Sequence, residues 1–277
     1  MVTIVIAVNA VDSLVMASDS ATTQGNPVPI NTWNSANKIF NLRKDWPIGA
    51  ATWGQASIGG RSIATLAKEL RCRFGGERPD HADWALDKEH YTIADVADRV
   101  KSYFYDEHYV ADPQAQSELG LAVAGFSAGS DEAELFTLEM TKAACKGPAA
   151  PGAAGKPLLI WWGQTEAIVR LANGVSGALP QALLQLGVKQ SELQGYVGAI
   201  RAKTALPLVW PGMPIGETID LAEFLVETTT RFVRFAPGGQ VVGGPVEIAA
   251  MTRHEGFKWI KRKHHFPQNL NPGGTWP

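Results

Sequence analysis

The chain opens Met1-Val2-Thr3-Ile4-Val5-Ile6-Ala7-Val8, and Thr3 admits two readings. A threonine heading a β-branched run is an ordinary strand residue. It is also a nucleophile if a base removes its proton, and the α-amine of a first-residue threonine, with a pKa near ~8, serves as that base directly or through water. One residue then supplies nucleophile and base, provided that Met1 and Val2 are removed. Other candidate groups suggest plainer roles. His254, His264 and His265 lie in the basic stretch RHEGFKWIKRKHH, which reads as a solvated end before it reads as a metal site. Cys72 and Cys145 show no CxxC or Cys/His spacing, and the glycines of QASIGG and GGQVVGG complete no phosphate loop. Neither a metal nor a cofactor is expected.

The elements that must position Thr3 are legible in the hydrophobic pattern. TIVIAV (3–8) and SLVMAS (13–18), joined by Asn9-Ala10-Val11-Asp12, read as a hairpin of buried strands. A loop over Gly25–Asn34 leads to a second hairpin from 36–42 and 47–53. From Gln55 the period changes: Ile58, Ile63, Leu66, Ala67 and Leu70 predict an amphipathic helix directly behind the strand, stopping at Gly75-Gly76. A second helix begins behind Thr92 as its N-cap. LGLAVAGF (119–126) and AELFTLEM (133–140) make a third hairpin, and LLIWWG (158–163) a further strand. Helical patterns follow over 164–173, 178–203 in pieces and 217–235, before a closing pair of runs at 246–251 and 257–260.

Groups of hairpins alternate here with groups of helices, which disfavours a doubly wound parallel sheet and predicts two antiparallel sheets between helical layers. A single domain is expected over 1–260, with the Pro/Gly/Ala stretch 146–157 as a flexible insertion and 261–277 as a basic, Pro-rich tail. The 277 residues and 45% hydrophobic content suffice for a large core. Lys+Arg 25 against Asp+Glu 27 gives a net charge of -2, so no basic field exists to hold nucleic acid or an anionic membrane. No basic leader precedes the first apolar run, and no long apolar segment follows, so a cytoplasmic protein is expected.

Taken in order, these pieces resemble the proteasome β-subunit and HslV-type peptidase superfamily of N-terminal nucleophile hydrolases. Thr3-Ile4-Val5 leads to Ala17-Ser18-Asp19-Ser20, sixteen positions on, and then to Asn37-Lys38-Ile39 at the head of a later strand. Thr52-Trp53-Gly54-Gln55-Ala56 stands where that family turns into its first long helix. The phrase LVMASDS and the chain length look nearest to bacterial proteasome-like proteins of the ancestral β-subunit type. The resemblance implies a four-layer αββα sandwich with Thr3 as nucleophile. It further implies Lys38 as the cation that lowers the nearby pKa values and Asp19 as the carboxylate holding it. A backbone N–H at Trp53 or Gly54 would be the oxyanion donor.

The implied activity is peptide-bond hydrolysis on peptides or unfolded proteins. The implied assembly is a homo-oligomeric ring, with an ATP-dependent unfoldase as a possible partner. Where the family carries supporting Asp and Ser groups, this chain has Gly239-Gln240-Val241-Val242-Gly243-Gly244 and Gly163-Gln164-Thr165-Glu166. A non-catalytic subunit of the same fold and a small-substrate amidase therefore stay open beside the threonine peptidase.

Overall fold

The computed structural model describes residues 3–24, 31–115, 117–237, 239 and 241–263. Strands β1 (Ile4–Asn9) and β2 (Ser13–Ser18) are the expected first hairpin, closed by the Ala10 N–H on the Ser13 carbonyl at 3.0 Å. Every residue of both strands is buried, so both faces are covered, and a run apolar on both sides is what such a strand requires. The short β3 (Thr22–Gln24) and β4 (Asn31–Trp33) pair with each other. β5 (Ile39–Asn41) and β6 (Ile48–Gly54) form the next hairpin.

The predicted helix does not follow β6 directly. Gly59 and Gly60, at φ 56° and 74°, first turn a two-stranded ribbon of β7 (Ser57–Ile58) and β8 (Arg61–Ser62). Helix α1 (Ile63–Phe74) then begins behind Ser62, whose Oγ accepts the Thr65 N–H at 3.1 Å. Ile58 fits the helical period yet packs from the ribbon instead. Helix α2 (Ile93–Lys101) starts as expected, with the Thr92 hydroxyl accepting the Asp95 N–H at 3.0 Å.

The third hairpin is β9 (Leu119–Phe126) and β10 (Ala133–Met140). The stretch 146–157 is not wholly an insertion, because β11 (Cys145–Ala149) pairs with β10 at a sheet edge. Glycine and proline there hid a strand. β12 (Leu158–Gly163) precedes α3 (Glu166–Asn173), α4 (Leu179–Gln185), α5 (Leu193–Thr204) and α6 (Ile215–Phe235). β13 (Glu247–Thr252) and β14 (Gly256–Lys261) close the order, and most of the expected 261–277 tail lies outside the described residues.

The chain is thus mixed α+β on antiparallel sheets. One five-stranded sheet runs β12-β1-β2-β13-β14, the other β11-β10-β9-β6-β5. Alternate residues of β1 and β2 divide between two cores. Val5, Ala7, Leu14 and Met16 meet Ala51, Trp53 and Ala122 of the other sheet, whereas Ile4, Ile6, Val15 and Ala17 pack with Ile168 of α3 and Leu225 of α6. A third core packs α1 and α2 on β6 and β9 through Leu66, Leu70, Val96 and Val123. Thr3 precedes Val5 by two residues, so the strand period directs it into the space between the sheets.

Candidate active site

The spacing of Thr3 and Asp19 is a consequence of the first hairpin. β1 and β2 pair Val5 with Ser18, and the Asp19 N–H extends that ladder to the Ile4 carbonyl at 3.2 Å. The Asp19 side chain therefore stands beside Thr3. The Thr3 hydroxyl donates to Asp19 Oδ1 at 2.6 Å, and the Ile4 N–H donates to the same oxygen at 3.1 Å. Asp19 Oδ2 accepts the N–H groups of Ala21 and Gly243, each at 3.1 Å.

Lys38 arrives from the opposite sheet. It sits one residue before β5, its carbonyl accepting the Thr52 N–H at 2.9 Å and its own N–H donating to Glu247 Oε2 at 3.4 Å. The side chain crosses to Asp19 Oδ1, with Nζ at 2.5 Å, and also donates to Thr3 Oγ1. Hydroxyl, carboxylate and ammonium thus touch one another, at 3%, 0% and 6% exposure respectively. Burial pushes the Lys38 pKa below its ordinary value, and the charge and hydrogen bond of Asp19 oppose that shift. A charge this far from water persists only with such a partner.

Thr3 opens onto a cavity of about 190 Å³ lined by Ala21, Ala36, Thr52, Trp53, Gly54 and Ile63, among others. The cavity wall is mostly small and neutral. Along β6, Thr52 donates to Lys38 on the β5 side and Gln55 donates to Glu118 on the β9 side, at 2.9 Å each. Antiparallel alternation therefore puts the Gly54 N–H on the β5 side, past the end of that strand and beside the cavity.

Gly54 itself is required by the backbone. It lies at φ 84°, and a Cβ there would stand 2.2 Å from the Glu118 carbonyl oxygen. Gly54→Ala is expected to cost about 2 kcal/mol or more, lowering Tm by roughly 4 °C or more. Thermal unfolding followed by circular dichroism checks this, and an unchanged Tm would contradict it.

Trp53 is one of the residues that line this cavity. Its ring stacks on Trp162 at a centroid distance of 4.5 Å and lies over Gly120, where no Cβ fits. Gly163 holds φ 95° with its Cα against the Thr3 carbonyl, which accepts the Gln164 N–H at 2.7 Å. The GQTE stretch therefore supports Thr3 through backbone, and GG at 243–244 supports Asp19 through the Gly243 amide.

Sequence reasoning missed Glu247 and Lys263. Lys263 Nζ lies 3.2 Å from Glu247 Oε2, and both side chains are buried. A lone acid heading the apolar strand EIAAMT was the available signal for the first. Lys263, inside a basic run, gave none. His254 lies in the turn between β13 and β14, while His264 and His265 are outside the described residues. Among the described residues no three His, Cys, Asp or Glu side chains are grouped to hold a metal ion, and no helix is long and apolar enough to cross a membrane.

No protein-family model matches this chain, and no curated protein matches it. That finding overturns the proteasome β-subunit and HslV-type assignment, including its ancestral β-subunit branch, as a statement of membership. The pieces that carried it are a few positions in 277, and a carboxylate placed beside a strand's first residue follows from hairpin geometry alone. What stands is a likeness of fold. A solved structure described as "Helical Assembly of the Anbu Complex from Pseudomonas aeruginosa" matches 95% of this chain and 88% of its own, with TM-score 0.51 and 14% identity.

Proposed function

We propose that the chain hydrolyses amide bonds, as a threonine peptidase whose nucleophile is Thr3 once residues 1 and 2 are removed. The observation that carries this reading is the contact of Thr3 Oγ1 with both Asp19 and Lys38 at the wall of a cavity. In this reading the freed α-amine takes the hydroxyl proton as Oγ1 attacks the carbonyl carbon, under the field of the Lys38 ammonium. The Gly54 N–H, on the cavity side of β6, would receive the developing oxyanion. Collapse breaks the C–N bond, the leaving amine takes the proton back, and water then hydrolyses the Thr3 ester.

The two sheets with helices packed on their outer faces are read as an αββα sandwich of the N-terminal nucleophile kind. The protein is also read as a homo-oligomer acting on peptides or unfolded chains. Leu186 just past α4, Trp210 between α5 and α6, and Phe224 and Phe235 of α6 are exposed apolar side chains suited to contacts between copies. Light scattering is expected to give a mass of several chains, and a monomer at micromolar concentration would contradict self-association.

A small-substrate amidase is the second reading, favoured by a cavity of only about 190 Å³. The experiment is labelling with an acylating β-lactone followed by peptide mapping. The peptidase reading expects one ester adduct on Thr3 together with turnover of fluorogenic peptides. An adduct with turnover only of short acyl amides selects the amidase. No adduct on Thr3 overturns both.

A further inference from the structure

Behind Lys38 lies a second buried carboxylate–ammonium pair that the proposed chemistry does not use. Glu247, the first residue of β13, and Lys263, two residues past β14, face each other at 3.2 Å, with side chains 1% and 7% exposed. Glu247 Oε2 accepts the backbone N–H of Lys38. Lys263 Nζ donates to Ser20 Oγ and to the Ala36 carbonyl, each at 2.6 Å. Ser20 adjoins Asp19 and donates its own hydroxyl hydrogen bond to the Pro245 carbonyl, and Ala36 lines the cavity that Thr3 faces. The pair thus ties both flanks of the site to the C-terminal strands.

We propose that Glu247 and Lys263 form a positioning pair, which holds Lys38 in place and sets the field in which the base at Thr3 works. This rests on the hydrolase reading above. The four charges alternate, Asp19 negative, Lys38 positive, Glu247 negative and Lys263 positive, so removing either outer charge leaves an excess of the opposite sign beside the site. Other charges lie close to Glu247: Lys68 and Arg71 of α1, and Arg262, line a small cavity of about 30 Å³ with it. They stay in place in every variant considered below. Burial and Asp19 dominate the Lys38 pKa, but Lys263 also lowers it and Glu247 raises it, the opposite signs that the pair requires.

The sign of each substitution follows. The base at Thr3 is a cation when protonated. Lys263→Met removes a positive neighbour, favours that cation and raises its pKa, so the acid limb of kcat/KM moves to higher pH. Glu247→Gln removes a negative neighbour and moves the limb to lower pH. Each shift is expected to be on the order of half to one pH unit. The double variant returns toward the parent value.

The measurement is kcat/KM for a fluorogenic peptide between pH 5 and 10, with intact mass verifying a Thr3 start in every variant. Opposite shifts that cancel in the double variant are the expected result. Shifts of one sign, or activity losses that follow Tm with an unmoved pH profile, would overturn the pair's electrostatic role and leave it purely structural. If the Glu247→Gln variant does not fold, Lys263→Met against the charge-preserving Lys263→Arg decides. Met must move the limb upward and Arg must leave it in place, and a Lys263→Met variant that also fails to fold while Lys263→Arg folds overturns the proposal. Failure of the underlying reading looks different. In that case Thr3→Ala keeps the parent activity, or Thr3 gives no β-lactone adduct at any pH.

Discussion

Thr3→Ala is expected to abolish amide hydrolysis while leaving the fold intact, with kcat falling on the order of 10⁴-fold or more. The hydroxyl makes two contacts, to Asp19 and Lys38, but the carboxylate retains the Ile4, Ala21 and Gly243 amides and Lys38 Nζ when it is gone. Asp19 therefore stays satisfied and Lys38 stays paired. The structural cost is confined to the two lost side-chain hydrogen bonds, about 1 kcal/mol each, so Tm should move by only several degrees. Thr3→Ser keeps an oxygen at the same place and is expected to retain measurable turnover. Assays of peptide hydrolysis beside thermal unfolding separate the two effects. An alanine variant with parent activity would remove Thr3 from the chemistry.

Asp19→Ala is expected to act in the reverse order, on stability first. It strips the counter-charge from a buried Lys38, a change worth about 3–5 kcal/mol when one partner of a buried pair is deleted. It also leaves the amides of Ala21 and Gly243 without their carboxylate acceptor. Against a typical stability of about 5–15 kcal/mol, that loss removes much of the margin. Lys38 is then expected to lose its proton or draw in water, so activity falls with stability. Urea unfolding should show a midpoint lowered by more than that of any other single variant at the site. The Asp19→Ala/Lys38→Met double variant tests the cause. It removes the orphaned charge and should regain part of the lost stability without regaining activity. A double variant less stable than Asp19→Ala would show that the buried charge is not what costs the fold.

The first hairpin was legible because β1 and β2 are covered on both faces, which forces two largely apolar runs, parted by Asn9 and Asp12-Ser13 at the turn. Asp19 followed from it, since a residue just past β2 must lie beside the head of β1. Lys38 lay one position before β5 as the pattern implied, although its meeting with Thr3 across two sheets is tertiary. Two elements were misread for local reasons. Ile58 kept the helical period, yet Gly59 and Gly60 at positive φ made a ribbon before α1. Gly147 and Pro148 made β11 look like a loop, although its backbone pairs with β10. Glu247 and Lys263 were missed because nothing local marks them. Glu247 is 209 positions from Lys38, and Lys263 sits in a run of basic residues that reads as solvated. Near Gly163 and Gly243, where supporting polar side chains were expected, backbone amides stand instead, Gln164 on the Thr3 carbonyl and Gly243 on Asp19, which no side-chain pattern can announce.

All of the proposed chemistry depends on Thr3 acquiring a free α-amine. Intact-mass analysis of the purified protein, with N-terminal peptide mapping, tests that claim most directly. The expected result is a chain lacking both Met1 and Val2 and beginning at Thr3. A protein that retains Val2 in its hydrolytically active form would contradict it.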